Sequence, residues 1–324
     1  MRTQERVRAR RRRELLGGRP YEMLRALRSA LDELWGDKVG LFGLLVVVGL
    51  VLVAVLAPVL APHDPTAGAL GDRLRPPAWA EGGSARFLLG TDEQGRDILS
   101  RIIYGTRVTL LVGGSVVLLA GTFGTLAGLV AGYKGGRWDS VIMRIVDTQV
   151  AFPGLLLALV ILAVVQPSVT SVIAVLALNG WMVYARMTRG VVLSVKEMPY
   201  VDAAEIVGCR PRRVVLRHIL PNLASPLLTL AVLEFARIIL AEAALSFLGL
   251  GIQPPQASWG LMVSQGKNYL FSAWWLVTFP GLAIALTVLG VNLLASWLRV
   301  AADPQEREKR FAAATSQRAT QGTV

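Results

Sequence analysis

Two short stretches hold most of the residue types from which chemistry could be built. The first, from Pro199 to Pro221, gathers Asp202, Glu205, Cys209, Arg210, Arg212, Arg213, Arg217 and His218. The second places Glu234, Arg237 and Glu242 inside an apolar run, within roughly 140° of arc at the helical 100° per residue. Neither stretch assembles a catalyst. Cys209 is the single cysteine, so the chain closes no disulfide on itself and supplies no zinc cluster. His63 and His218, the two histidines, are far apart in sequence and define no metal site. The phosphate-binding pattern G-x-x-x-x-G-K-S/T is absent, so the chain does not hydrolyse ATP by that machinery.

The elements around the first stretch predict a helix, a sharp turn and a second helix. Pro199 opens a short helix, because its fixed φ suits the first helical position and its missing N–H is not needed there. Ala203 and Ala204 keep one face small, and Gly208 stops the helix by adopting the left-handed conformation. Pro211 opens a second short helix carrying the arginines, and Pro221 is expected to close the unit.

Composition places this polar island in a membrane protein. Hydrophobic residues make up 53% of the 324 and charged residues only 17%, against roughly 25% in a soluble domain. Mean hydropathy is +0.52. Six apolar runs read as spans: Val39–Pro58, Val108–Gly132, Val141–Val165 (kinked or broken near Pro153-Gly154), Ser171–Arg186, Leu227–Leu248 and Leu276–Trp297. In the second, Gly124, Gly128 and Gly132 form a small-residue ridge suited to close helix packing. Residues 1–38 begin with a basic arm without a signal-peptide core and carry, from Tyr21 to Trp35, an interfacial helix pattern. Residues 61–107 are a long polar segment, in which Thr91 and Gln94 have capping-box spacing. A calcium loop is the sharper reading of its acids, but the ligand spacing is wrong. Residues 251–275 form an external loop with partial re-entry, and 301–324 a charged tail.

The formal net charge of +12 suggests nucleic acid or anionic lipid as a partner, and its placement decides for lipid. With the N-terminus inside, internal segments hold 25 of the 34 Lys and Arg residues and external ones 7. Both termini and the polar loop, residues 191–226, are therefore expected in the cytoplasm. A chain with six spans and no reaction centre is a conduit that something else must drive.

The spacing of Asp202, Ala203, Ala204, Gly208, Leu220 and Pro221 resembles the "EAA" loop in permease subunits of bacterial ATP-binding-cassette importers. Asp202 stands for the usual glutamate, and His218 for the isoleucine of many members. The run His218–Asn222 looks like the peptide and nickel branch. The run Leu89–Arg101 looks like the second, C-type permease of dipeptide and oligopeptide importers. Met143–Asp147 with Phe152-Pro153, and Ser246–Gly251 with Pro254-Pro255 and Ser258-Trp259-Gly260, are similar to the family as well. The resemblance covers residues 34–299.

It implies an all-α fold of six transmembrane helices with a cytoplasmic coupling helix, the type I importer permease fold, over residues 39–300. It implies coupling to an ATPase through Tyr200, Asp202, Ala203, Ala204, Glu205, Gly208, Arg210, Leu220 and Pro221, with Glu234, Arg237 and Glu242 as translocation-path candidates. The implied partners are two ABC ATPase subunits, a sister permease and an extracytoplasmic substrate-binding protein. ATP and Mg would be used by the ATPases, with no cofactor or metal on this chain. Nickel, glutathione or an oligosaccharide are alternative cargoes. An ion-coupled secondary transporter built on Glu234, Arg237 and Glu242 is the competing mechanism, but paired interrupted spans in corresponding halves are not evident.

Overall fold

A computed structural model describes residues 35–302 and is helical throughout its regular structure. Helix α1 (Lys38–Val55) starts where the Asp37 carboxylate accepts the amides of Val39 (3.0 Å) and Gly40 (3.1 Å). Its backbone lies against the last helix, α11 (Trp275–Ala302), since a Cβ at Gly43 would strike the main chain of Gly290 and Leu294. A short helix, α2 (Ala57–Leu60), follows, and the Arg107 side chain donates to the Ala54 carbonyl at the end of α1 (2.6 Å).

Residues 61–97 fold into a polar cap over one end of the bundle. Asp92 organises it: Oδ1 accepts the amides of Gln94 (2.8 Å) and Arg96 (2.9 Å), while Oδ2 accepts Arg96 Nε (2.6 Å) and the Arg101 guanidinium. All three side chains are buried. Arg101 continues to Gln265 Oε1 (3.1 Å), which ties the cap to the other end of the sequence. The capping-box expectation for Thr91 and Gln94 is overturned. Thr91 Oγ1 instead donates to the Asp72 carbonyl (2.5 Å) and accepts the Arg75 amide (2.9 Å). The helix is capped by Asp97, whose Oδ2 accepts both the amide (3.0 Å) and the hydroxyl (2.6 Å) of Ser100.

That helix, α3 (Ile98–Lys134), runs 37 residues. At 1.5 Å per residue it is about 55 Å long and so projects well beyond a bilayer core of roughly 30 Å. It packs along α6 (Val169–Lys196) on the glycine ridge. A Cβ at Gly124 would collide with the Trp181 carbonyl, one at Gly128 with the Ala185 carbonyl and one at Gly132 with the Val192 side chain.

The third apolar run is two helices, α4 (Gly136–Val150) and α5 (Gly154–Val164), bent by 84° at Pro153. Helix α4 is amphipathic, and its acids bind α6: Asp139 receives Arg189 (2.5 and 2.6 Å) and Asp147 receives Arg186 (2.6 Å). Among the described residues, five helices are long and apolar enough to cross a membrane, or six when the bent pair is taken as one span.

After α6 come α7 (Pro199–Ile206), α8 (Pro211–Val214) and α9 (Leu220–Phe247). Pro221 does not close the loop unit as expected, because the chain is helical from Pro211 to Phe247. A π turn over Val215–Ile219 precedes the proline, with the Leu220 amide donating to the Val215 carbonyl. Proline lacks an N–H and crowds the carbonyl four residues back, so a widened turn lets the helix pass through it. The span therefore begins in the loop itself.

Helix α9 ends at Gly249 (φ 84°), and the chain returns into the bundle as α10 (Trp259–Gly266), capped by Ser258 Oγ on the Leu261 amide (3.2 Å). Trp259 is buried, and its Nε1 donates to the Ile102 carbonyl (3.0 Å). A Cβ at Gly260 would strike Ala243 of α9. Within the segment expected to be an external loop with partial re-entry, α10 is the part that packs between α3, α9 and α11, while residues 253–256 and 270–272 stay exposed.

Candidate functional site

Helix α7 is held on one side and bare on the other. Its one fully buried side chain, Val201, joins Val192 and Val195 of α6, Val214 of α8, Ile219 and Leu223 in an apolar cluster. The C-terminus closes as a Schellman turn: the Gly208 amide donates to the Glu205 carbonyl (2.9 Å) and the Cys209 amide to the Ala204 carbonyl (3.0 Å). Gly208 sits at φ 83°, which a side chain would strain. The turn points the Arg210–Arg213 segment away from α7 and starts α8 at Pro211.

Tyr200 is half-exposed, and its hydroxyl accepts from Asn222 Nδ2 (3.2 Å), which also donates to the His218 carbonyl (2.5 Å). The Tyr200 and His218 rings lie 6.1 Å apart. The His218–Asn222 run is therefore a strut from α9 to the start of α7. Glu205 accepts weakly from the Tyr133 hydroxyl at the end of α3 (3.4 Å). Three helices, α3, α6 and α9, thus meet beneath this short one.

Outward, Asp202, Ala203 and Glu205 are exposed and Ala204 is half-buried. Ile206 and Val207 are 86% and 83% exposed. They lie roughly 140° and 120° round the helix from Val201, on opposite sides of it, so the core that holds Val201 cannot cover either. These two were missing from the sequence-derived site. The signal was present as an apolar pair immediately before the stop glycine, off the phase of the buried position. Arg210, Arg212, Arg213 and Arg217, with Leu216 and Pro221, line an open groove of about 690 Å³ beside the helix. Leu220 is 36% exposed.

The three charges of α9 separate into two settings. Glu234 and Arg237 pair loosely (3.3 Å) and line a cavity of about 240 Å³ with Gly154, Asn179 and neighbouring apolar side chains. Glu242 does not line that cavity. It is buried and accepts the Ser246 hydroxyl (2.7 Å), which in turn accepts the Ile252 amide (3.1 Å) and so anchors the return of the chain after α9. Asp92 and Asp97 of the Leu89–Arg101 run are committed as well: Asp92 to arginines and main-chain amides, Asp97 to Ser100 with His63 at 3.4 Å. That run is a structural lock.

Comparison with known proteins agrees with this geometry. Residues 124–308 match the model described as "Binding-protein-dependent transport system inner membrane component", and residues 26–77 match the "N-terminal TM domain of oligopeptide transport permease C". The chain is 43% identical over 86% of its length to the "Di/tripeptide transport system permease protein DppC" of Pseudomonas aeruginosa, covering 93% of that protein. It is 45% identical over 86% of its length to the "Dipeptide transport system permease protein DppC" of Escherichia coli K12, covering 95% of it. Identity is 40% over 88% of the chain to the protein of that name from Alkalihalophilus pseudofirmus, covering 92% of it. A helical membrane bundle, a clamped helix with a bare outer face and matches of this extent lead to one conclusion: the chain belongs to the binding-protein-dependent transport system inner membrane component family, as a transport permease of an ABC importer and not an enzyme.

Proposed function

We propose that this chain is the C-type permease of an ATP-driven importer of dipeptides and short oligopeptides, forming half of the translocation path with a sister permease. Two ABC ATPase subunits, which use ATP and Mg, receive α7 in a surface groove, and an extracytoplasmic binding protein delivers the cargo. The loop carrying α7 and both termini lie in the cytoplasm, in keeping with the 25 to 7 bias of Lys and Arg. Peptide as cargo rests on the names of the relatives.

The observation that carries the coupling role is the pair Ile206 and Val207, more than four-fifths exposed at the tip of a helix that is anchored underneath by the fully buried Val201. An apolar tip on a polar loop is a docking surface in search of a groove. Ala203 and Ala204 allow close approach, and Asp202 and Glu205 give the rim a charge. Closure of two ATPases against such a helix moves α6 and α9 through the Val201 cluster and the Tyr200–Asn222 strut, and opens the path alternately to the two sides.

The test is the ATPase activity of this chain co-purified with its partners, wild type beside Ala204→Arg, with and without peptide-loaded binding protein. Loss of the ATPases from the variant, with peptide stimulation of the wild type, is expected. ATPases that stay bound to the variant would remove the docking role. Stable assembly with stimulation by nickel, glutathione or an oligosaccharide instead of peptide would change the cargo and keep the importer.

A further inference from the structure

Arg237 presents a problem that the fold does not resolve by itself. Glu234 sits at the middle of the 28-residue α9, with Arg237 one turn further on. The Arg237 side chain is 60% exposed and, among the described residues, holds only the loose contact to Glu234. A guanidinium at that depth faces water or protein rather than hydrocarbon, because its desolvation there costs several kcal/mol. The cavity it lines is formed by α5, α6 and α9 at the 84° break between α4 and α5.

Two further groups point into this cavity without partners. Asn179 is 7% exposed and its Oδ1 accepts no hydrogen bond, whereas its Nδ2 is fixed on the Val175 carbonyl (3.1 Å). That bond sets the amide orientation and turns Oδ1 toward the break, where a methyl group at Gly154 would stand 3.4 Å away. A buried acceptor left empty costs about 1–3 kcal/mol and is explained by a donor that arrives from elsewhere. Helix α5 begins at this point with Pro153 at its N-cap and no side chain capping its first turn. Its free N–H groups and positive dipole end face the same space.

The geometry points to a transit subsite for the carboxyl end of a short peptide, resting on the peptide-importer reading above: the carboxylate binds Arg237 and the first-turn N–H groups of α5, and the last amide N–H donates to Asn179 Oδ1. Glu234 positions the Arg237 side chain and keeps it from folding back to the helix. The apolar wall of Ala158 and Leu176 accepts the terminal side chain without selecting for polarity. At about 240 Å³ the cavity is smaller than the roughly 300–1,000 Å³ of a site for a drug-sized ligand, so it takes one end of the cargo and not the whole. A charged terminus common to every peptide gives the path a hold that is indifferent to side-chain sequence.

The complete importer in proteoliposomes tests this, with a radiolabelled dipeptide supplied on saturating binding protein. Two quantities are read: ATP hydrolysis stimulated by the loaded binding protein, and peptide accumulated per ATP. Arg237→Gln and Asn179→Leu are expected to leave stimulated hydrolysis within about twofold and to lower peptide per ATP, by about tenfold for Arg237→Gln, which loses a charge-assisted hydrogen bond, and by about two- to tenfold for Asn179→Leu, which loses a neutral one. The deficit arises because a cargo that is not held slips back before the path reopens inward. Unchanged peptide per ATP in both variants overturns the subsite. Parallel loss of hydrolysis and uptake overturns it too, by marking a structural role. A wild-type complex that couples hydrolysis to another cargo and accumulates no peptide refutes the importer's peptide assignment itself, a result distinct from failure of the variants alone.

Discussion

Replacing Ile206 and Val207 together by serine isolates the docking energy of α7 from its folding energy. Both side chains are more than four-fifths exposed, so the isolated permease loses almost no packing. Fully burying an aliphatic side chain of this size stabilises by about 1.5–3 kcal/mol, and some 85% of that remains to be gained on docking. The pair therefore contributes roughly 2.5–5 kcal/mol to the complex, which corresponds to about 60- to 4,000-fold in affinity at 1.4 kcal/mol per tenfold. The lower part of the range is expected, since ordering the contact has its own cost. The assay is titration of purified ATPase onto the detergent-solubilised permease by thermophoresis, beside thermal unfolding of each permease alone. Unchanged unfolding with affinity weakened at least 60-fold is the expected result, at the lower end of the range of about 60- to 4,000-fold. Affinity within about twofold of wild type would refute the argument that exposed apolar area at this tip is docking area. A lowered unfolding temperature would refute the premise that the tip is unpartnered.

Asp92→Asn is expected to destabilise the permease by about 3–5 kcal/mol, since it leaves the buried Arg96 and Arg101 without their carboxylate. Thermal unfolding measures it, and a shift indistinguishable from zero would show that the cap does not stabilise the bundle. Gly128→Leu forces α3 off the Ala185 carbonyl of α6 and is expected to cost at least about 1–3 kcal/mol. Cross-linking yield between cysteines placed on α3 and α6 should fall with it, and unaltered yield and stability would place the ridge outside the contact.

Much of the working loop is local and so was legible in the residues. Pro199 and Pro211 fix φ and Gly208 permits the left-handed φ of the turn, so no distant contact needs to enforce them, and the helix, turn and helix lie where those residues put them. The glycine ridge was legible because backbone approach requires the missing Cβ at every fourth position. The errors came where a local rule met a tertiary contact. Thr91 and Gln94 satisfy the capping-box spacing, yet Thr91 Oγ1 is held by Asp72 and Arg75, and Asp97 takes the cap. Pro221 carries the signature of a helix end, and one π turn upstream removes the clash that would have enforced it. The basic arm of residues 1–38 and the tail lie almost entirely outside the described residues.

Composition, hydropathy and the proline and glycine positions by themselves determined a multi-span helical membrane protein with a helix-turn-helix in the polar loop between two spans. Those properties depend on transfer free energies and backbone sterics, which each segment carries wherever it sits. Only the tertiary structure decided which side chains the loop leaves bare, that Glu242 anchors a turn while Glu234 and Arg237 face a cavity, and that Asn179 holds an empty acceptor opposite the break at Gly154. Exposure and partnership belong to pairs of segments distant in the chain, and no spacing within one segment specifies which neighbour will arrive to cover it.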